Sequence, residues 1–314
     1  MPPNTAASNA THRPGGSASG EPTAPEGRTA VAAFRAVRPL HWAKNALVVV
    51  PAVAAHRAGE AGMPARLALA FVAFSLVASS GYVVNDLFDL ATDRSDPHKR
   101  HRSFASGALG VGAGAGLAAA LLAGGATAAL LLPASFRWVL AAYWATTLAY
   151  SAGLKRRIAL DVLVLAALYT ARIYAGAAAT GIPVSEWLAS FSMFLFLSLA
   201  FLKRASELTE GVRAIPGRGY LAGDRDAIQA MGIASGFLSV LVLALYVSSH
   251  EVRRLYAHPE WVWALCPVLL YWVSRFWIRA RRGEIHGDPL LVALRDPASW
   301  AAFAAAVAVL RLAT

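Results

Sequence analysis

Long apolar runs, broken by short polar connections, alternate along most of the chain. A helix needs ~20 mainly apolar residues to cross the hydrocarbon of a bilayer. Runs near 40–57, 65–87, 108–132, 136–154, 159–181, 184–203, 228–249, 260–280 and 290–312 meet or approach that length, which predicts an all-α bundle of about nine transmembrane helices. The third run is rich in Ala and Gly, with Gly112, Gly114 and Gly116 near its start. Small residues let helices approach closely in lipid, so packing is the expected role there. Residues 1–30 lack the pattern: Pro, Gly, Ser, Ala and Thr dominate, without the charged start and apolar centre of a signal peptide. They are expected to form a disordered cytoplasmic tail ahead of a single membrane domain over 31–314.

The basic residues order the runs. Arg35, Arg38 and Lys44 precede or open the first; Lys99, Arg100 and Arg102 follow the second; Lys155, Arg156 and Arg157 follow the fourth. Lys203, Arg204, Arg213, Arg218 and Arg225 follow the sixth, and Arg279, Arg281 and Arg282 the eighth. Every second connection is therefore basic, which by the positive-inside rule predicts a cytoplasmic N-terminus and a polar, active face toward the cytoplasm. Arg253 and Arg254 are the exception, on the expected outer side. Composition agrees: 57% of the 314 residues are hydrophobic and 15% charged, against about 25% charged in soluble domains. The net charge of +11 then points to cytoplasmic loops and anionic membrane lipid, with no nucleic-acid partner expected. A single cysteine, Cys266, excludes an internal disulfide and a cysteine metal cage.

Against that apolar background, Asn85 to Arg102 stands out. Asp86, Asp89 and Asp93 follow an apolar run directly and fall at i, i+3 and i+7, one face of a continuous helix. Each Asp at the centre of a bilayer helix costs ~2.5–3.5 kcal/mol. Acids so placed imply a cavity and a cation. Solvated helix-end carboxylates would explain one or two of them, but not a one-face array beside Asn85. Hard oxygen ligands of this kind suit Mg²⁺ holding a diphosphate. Asp96, before Pro97, reads as a turn residue. The cations that follow, Lys99 and Arg102 foremost, serve topology, but a diphosphate also needs such donors opposite the metal.

Four further groups carry candidate chemistry. Lys44 and Asn45 sit deeper than Arg38 and Trp42, which fit an interfacial anchor; phosphate binding and a structural role are equally open for the deeper pair. Tyr150, Lys155 and Arg156 lead to Asp161, a second intramembrane acid and a candidate catalytic residue, while Arg172 further along that run needs an acid or an anion as partner. Lys203, Arg204 and Glu207 share one helical side, consistent with phosphate contact or with an intrahelical ion pair. Gly217-Arg218-Gly219-Tyr220 reads as a flexible basic lid, and Asp288 as a helix cap.

The run Asn85-Asp86-x-x-Asp89-x-x-x-Asp93, in a polytopic chain of this layout, resembles the first aspartate motif of the UbiA superfamily of intramembrane prenyltransferases, from about Arg35 to the end. Arg38-Pro39-x-x-Trp42-x-Lys44-Asn45, Pro97-x-Lys99-Arg100-x-Arg102 and Lys203-Arg204-x-x-Glu207-Leu208 are most similar to its decaprenyl-phosphate phosphoribosyltransferase branch. The resemblance implies an integral protein of a bacterial-type cytoplasmic membrane that moves phosphoribose from phosphoribosyl diphosphate to a polyprenyl phosphate. Mg²⁺ and the donor diphosphate would sit on Asp86, Asp89 and Asp93. The alternative is a prenyltransferase in which the lipid is donor rather than acceptor. Prenyltransferases of the family carry a second acid-rich motif; here Asp161 stands alone, and Val162 to Leu168 adds no carboxylate. A cation transporter is a third reading, disfavoured because the acids gather at one face rather than crossing the membrane.

Overall fold

Apolar length decides where the long helices form. The computed structural model describes residues 26–97, 99–208 and 212–314. Its helices are α1 (Glu26–Val37), α2 (Val50–Ala54), α3 (Met63–Phe88), α4 (Leu90–Ser95), α5 (Val111–Ala129), α6 (Ala134–Ala152) and α7 (Leu160–Thr180). They continue as α8 (Glu186–Glu207), α9 (Arg225–Val247), α10 (His250–Leu255), α11 (Pro259–Val262), α12 (Leu265–Arg281), α13 (Pro289–Arg295) and α14 (Pro297–Ala313). Among the described residues no β-strand forms, only an isolated bridge between Ala214 and Leu221. Helix α1 begins inside the stretch expected to be a tail, most of which, like His98, lies outside the described residues.

Six described helices are long and apolar enough to cross a membrane, and α13 with α14, bent by 82°, makes a seventh. The expected count of nine is thus not reached by these criteria, for two physical reasons. Helix α6 has the length, but Arg137, Tyr143, Thr146, Thr147, Tyr150 and Ser151 dilute its apolarity. The first run is not an α-helix over most of its length: Pro39–Val49 winds as a 3₁₀ helix before α2 begins. At about 2.0 Å rise per 3₁₀ residue and 1.5 Å per α residue, the two together still extend about 30 Å, the thickness of a bilayer core.

Close backbone contact holds this segment in place. A Cβ on Gly176 of α7 would fall 1.9 Å from the Val48 carbonyl oxygen, so only glycine permits the contact. Glycines also seat α5: Gly125 faces the Ala73 carbonyl and Val77 of α3, and Gly114 faces Phe104, whereas Gly112 and Gly116 have nothing within 4 Å. One apolar core joins the first segment, α3, α6 and α7 around Phe74, Phe136, Leu140 and Ala175. A second joins α7, α8, α9 and α12 around Leu202, Ile228, Phe276 and Trp277. Between these halves the polar residues gather at one end, while the carboxyl end of α14 bonds to His258 at the other (2.9 Å).

Candidate active site

The acids of the second span do not ride on one continuous helix. Helix α3 stops at Phe88, Asp89 occupies the break, and α4 carries Asp93. The i→i−4 bonding nonetheless runs through, from Asp89 N–H to the Asn85 carbonyl (2.9 Å) and from Asp93 N–H to that of Asp89 (2.8 Å). Asp86 and Asp93 are buried, and each meets a guanidinium. Arg38, in a left-handed turn between α1 and the first segment, donates to Asp86 at 2.6 Å. One nitrogen of Arg102 reaches both Asp93 (2.7 Å) and Asp86 (3.3 Å). Asp89 instead pairs with Lys155 (2.5 Å), which also approaches Asn85 (3.3 Å); the Asn85 amide donates to Asp89 (3.1 Å) and its oxygen accepts from Ser151 (3.0 Å).

Burial sets the electrostatics of this cluster. It pushes the Asp93 carboxyl above the ordinary carboxylate range, against the opposing charge of Arg102, and Asp86 and Asp89 add to the rise. Burial also draws Lys155 below the ordinary lysine value, against the pull of Asp89. Among the described residues no three His, Cys, Asp or Glu side chains are close enough together to hold a metal. In this arrangement Asp86 and Asp93 share one cationic nitrogen, and Asp89 is engaged by Lys155. Carboxylates bridged by a single positive charge, with further hard oxygens adjacent, have the donor chemistry that Mg²⁺ prefers.

Asp161 has no carboxylate beside it in sequence but is densely partnered by donors from elsewhere in the chain. It is wholly buried in the first turn of α7 and accepts two bonds from the equally buried Arg204 (2.5 and 3.0 Å), one from Tyr150 (2.7 Å) and one from Arg218 (2.9 Å). Arg204 also bonds Glu207 (2.5 Å), so the intrahelical pair expected there exists alongside the longer-range one. The loop expected to be a flexible lid is anchored: Arg218 donates to Tyr150 (2.5 Å), and the Tyr220 hydroxyl accepts from the Ala159 N–H (3.1 Å). Asp89, Thr92, Asp93, Lys99, Lys155 and Arg218 line a small polar cleft at this end. Lys99 pairs with Asp96 (3.3 Å), and Arg156 is exposed, without a hydrogen bond to these acids among the described residues.

Deeper in the bundle lies a second polar group. Lys44 forms an ion pair with Asp288, which both caps α13 and accepts from the Tyr169 hydroxyl (3.1 Å). Asp288 is thus more than the helix cap its sequence context indicated. Asn45 donates to Ser75 (2.9 Å) and accepts from Arg172 (2.9 Å). Lys203, half-buried, acts electrostatically on Asp288. An apolar groove of about 910 Å³ runs between the first segment, α8, α9, α12 and the α13–α14 elbow, walled by Ala43, Leu47, Trp187, Trp272, Leu290 and Phe303.

Sequence reasoning missed Arg38 as an Asp86 partner, Asp288 and the Tyr143–Tyr169 surround of Arg172. The one legible signal was that an intramembrane Arg172 demands a partner.

Fold and site define an all-α integral membrane transferase. The UbiA prenyltransferase family matches residues 46–288, and the chain belongs to that family. It is 39% identical over 268 residues to nodulation protein NoeC of Azorhizobium caulinodans, covering 84% of this chain and 87% of that protein. It is 38% identical over 264 residues to uncharacterized protein y4nM of Sinorhizobium fredii, covering 82% of this chain but only about half (51%) of that protein. The decaprenyl-phosphate phosphoribosyltransferase of Mycolicibacterium smegmatis is 36% identical over 193 residues, 60% of this chain and 61% of the relative. A solved UbiA homologue of Archaeoglobus fulgidus, bound to GPP and Mg²⁺, has the same fold (TM-score 0.66, 16% identity, 89% of this chain and 99% of that one).

Proposed function

We propose that this chain transfers phosphoribose from phosphoribosyl diphosphate to a polyprenyl phosphate, at the cytoplasmic face of the membrane. The donor diphosphate would lie in the polar cleft, with Mg²⁺ held by Asp86 and Asp93 and with Asp89 adjacent. When bound, the ion would supply positive charge to the departing diphosphate. Arg38, Arg102, Lys155 and Lys99 would hold diphosphate oxygens, and Arg102 would exchange its carboxylates for them. The glycosidic C–O bond to the diphosphate breaks, the diphosphate leaves with the electron pair, and a lipid phosphate oxygen bonds to the same carbon. That oxygen is already anionic near neutral pH, so no side chain need remove a proton.

The observation that carries this reading over prenyl transfer is the state of Asp161. Its carboxylate is filled by Arg204, Arg218 and Tyr150. A prenyl diphosphate site of the two-motif type requires a second metal-bearing acid cluster, and among the described residues Asp161 is surrounded by cationic and hydroxyl donors, with Glu207 bound to the same Arg204. The phosphoribosyltransferase relatives and the presence of an apolar groove in the bundle add support. The test incubates purified protein with Mg²⁺, labelled phosphoribosyl diphosphate and polyprenyl phosphate. Label entering the organic phase, and ceasing to do so in chelator, is the expected result. Label left in water, with turnover of a prenyl diphosphate and a phenolic acid instead, would select the prenyltransferase reading.

A further inference from the structure

The two polar groups differ in their charge balance. At the cleft, Asp86, Asp89, Asp93, Asp161 and Glu207 meet Arg38, Arg102, Lys155, Arg204 and Arg218, so acids and bases match in number. The deeper chamber is lopsided. Asp288 faces Lys44, and the charge of Lys203 acts on both Asp288 and Glu207 of the cleft. Arg172, 3% exposed, touches no carboxylate among the described residues. Its donors reach Asn45 (2.9 Å), the Leu168 carbonyl and the Tyr143 hydroxyl (3.2 Å). The rings of Phe74, Tyr143 and Tyr169 lie 5.3, 5.2 and 5.4 Å from its guanidinium carbon. Tyr169 joins the whole group, its ring also 5.4 Å from Lys44 and its hydroxyl on Asp288.

Counted over both groups, these eight cations meet six carboxylates, so a formal surplus of two positive charges remains inside the bundle, and Arg172 is the cation that touches no acid. Uncompensated charge at that depth is costly, and aromatic faces only partly offset it. An anion of about two charges would balance the chamber, and a phosphomonoester carries about −1.5 to −2 at neutral pH. An arginine has five N–H donors, and three of those on Arg172 are engaged by the contacts above. The apolar groove is lined by residues close in sequence to this chamber: Ala43 precedes Lys44, Leu47 lies three residues after it, and Leu290 lies two residues after Asp288. A phosphate here would lead its own hydrocarbon chain toward the groove.

We infer that Lys44, Arg172 and Lys203 form the binding site for the phosphate of the lipid acceptor, separate from the aspartate cleft that takes the donor. The inference rests on the proposed transfer to a polyprenyl phosphate and specifies where that phosphate is recognised. Binding of labelled polyprenyl phosphate to purified protein in nanodiscs, and KM for each substrate in the transfer assay, test it with Lys44→Met, Lys203→Met and Arg172→Met. Removing one charged donor should weaken polyprenyl phosphate binding on the order of tenfold to a hundredfold. The KM for phosphoribosyl diphosphate should stay within about twofold of wild type by the same reasoning. Polyprenol, which lacks the phosphate, should bind variant and wild type alike, which reports an intact groove. Should the buried Arg172 variant fail to insert, Asp288→Asn carries the test from the other side: raising the surplus should tighten polyprenyl phosphate but not polyprenol. A rise in donor KM with unchanged lipid affinity, or an Asp288→Asn protein that binds the lipid phosphate no better, would overturn the assignment. So would phosphatidic acid competing as well as polyprenyl phosphate, since the chamber would then be a general lipid-phosphate site. Failure of the wild type to transfer label to any polyprenyl phosphate would instead refute the proposed reaction.

Discussion

Gly176→Ala should damage catalysis from a position that touches no substrate. The new methyl carbon would lie 1.9 Å from the Val48 carbonyl oxygen, 2.7 Å from its carbon and 3.0 Å from its Cα. All three are backbone atoms, so no rotamer change relieves the clash. Ordinary separations of about 3.5 Å require the 3₁₀ segment and α7 to part by more than about 1 Å. Overpacking of this kind costs about 1–3 kcal/mol. The displacement also reaches the chamber: Asn45 is one 3₁₀ turn before Val48 and holds Arg172, and Lys44 next to it holds Asp288. A misplacement of about 1 Å can cost about a hundredfold in rate. The variant should therefore melt earlier in detergent and lose about two orders of magnitude in kcat/KM for label transfer to the lipid. Gly116→Ala, whose Cβ meets nothing within 4 Å, is the matched control and should leave both quantities near wild type. A Gly176→Ala protein with native melting and native turnover would show that the first segment is not held by this contact, and the argument for its precision would fall.

Asp86→Asn and Asp93→Asn should each abolish transfer while leaving the protein in the membrane fraction; residual activity with unshifted Mg²⁺ dependence in either would remove it from the metal site. Arg204→Met should destabilise the fold by about 3–5 kcal/mol, because it strips the main partner from a fully buried carboxylate, and an unchanged unfolding midpoint would contradict the burial of that pair. Asp161→Asn should likewise lower stability yet keep the wild-type Mg²⁺ titration, whereas a weakened titration would make Asp161 a metal ligand and reopen the prenyltransferase reading. Ala46→Trp, which fills part of the groove wall, should raise KM for long polyprenyl phosphates more than for short ones; equal effects would place the chain elsewhere.

The fold was largely legible because bilayer crossing is governed by apolar length, which one sequence displays directly. The exceptions were local. The 3₁₀ winding of Pro39–Val49 depends on Gly176, more than 120 residues away in the chain, and no pattern within the segment reports it. The break at Asp89 was equally hidden, since Leu87, Phe88 and Leu90 continue the helical pattern through it. At the site, residue types were legible and pairings were not. The partners of Asp161, Arg204 and Arg218, were not legible from its own run because they come from α8 and the following loop. Asp288 read as a cap because Pro289 follows it, and it is one; its second role depends on Lys44, 244 positions earlier.

Those long-range pairings give the site its logic. A cluster of acids needs cations to exist in the resting bundle, and a transferase needs the same cations free for phosphate. Arg102 meets both demands: it is only partly buried, and its single nitrogen serves two carboxylates, so with those acids neutralised by a bound cation its guanidinium would be free for an anion. Arg204 meets only the first, because it is fully buried and its bonds are spent on Asp161, Tyr150 and Glu207. The cations of this chain therefore divide by burial and by partner into those that hold the bundle together and those that can change hands. Arg38, Lys99 and Arg102 at the cleft belong to the second kind. Lys44 is buried on Asp288 and joins them only through the proposed acceptor phosphate, so the reacting phosphates would meet between the cleft and that chamber.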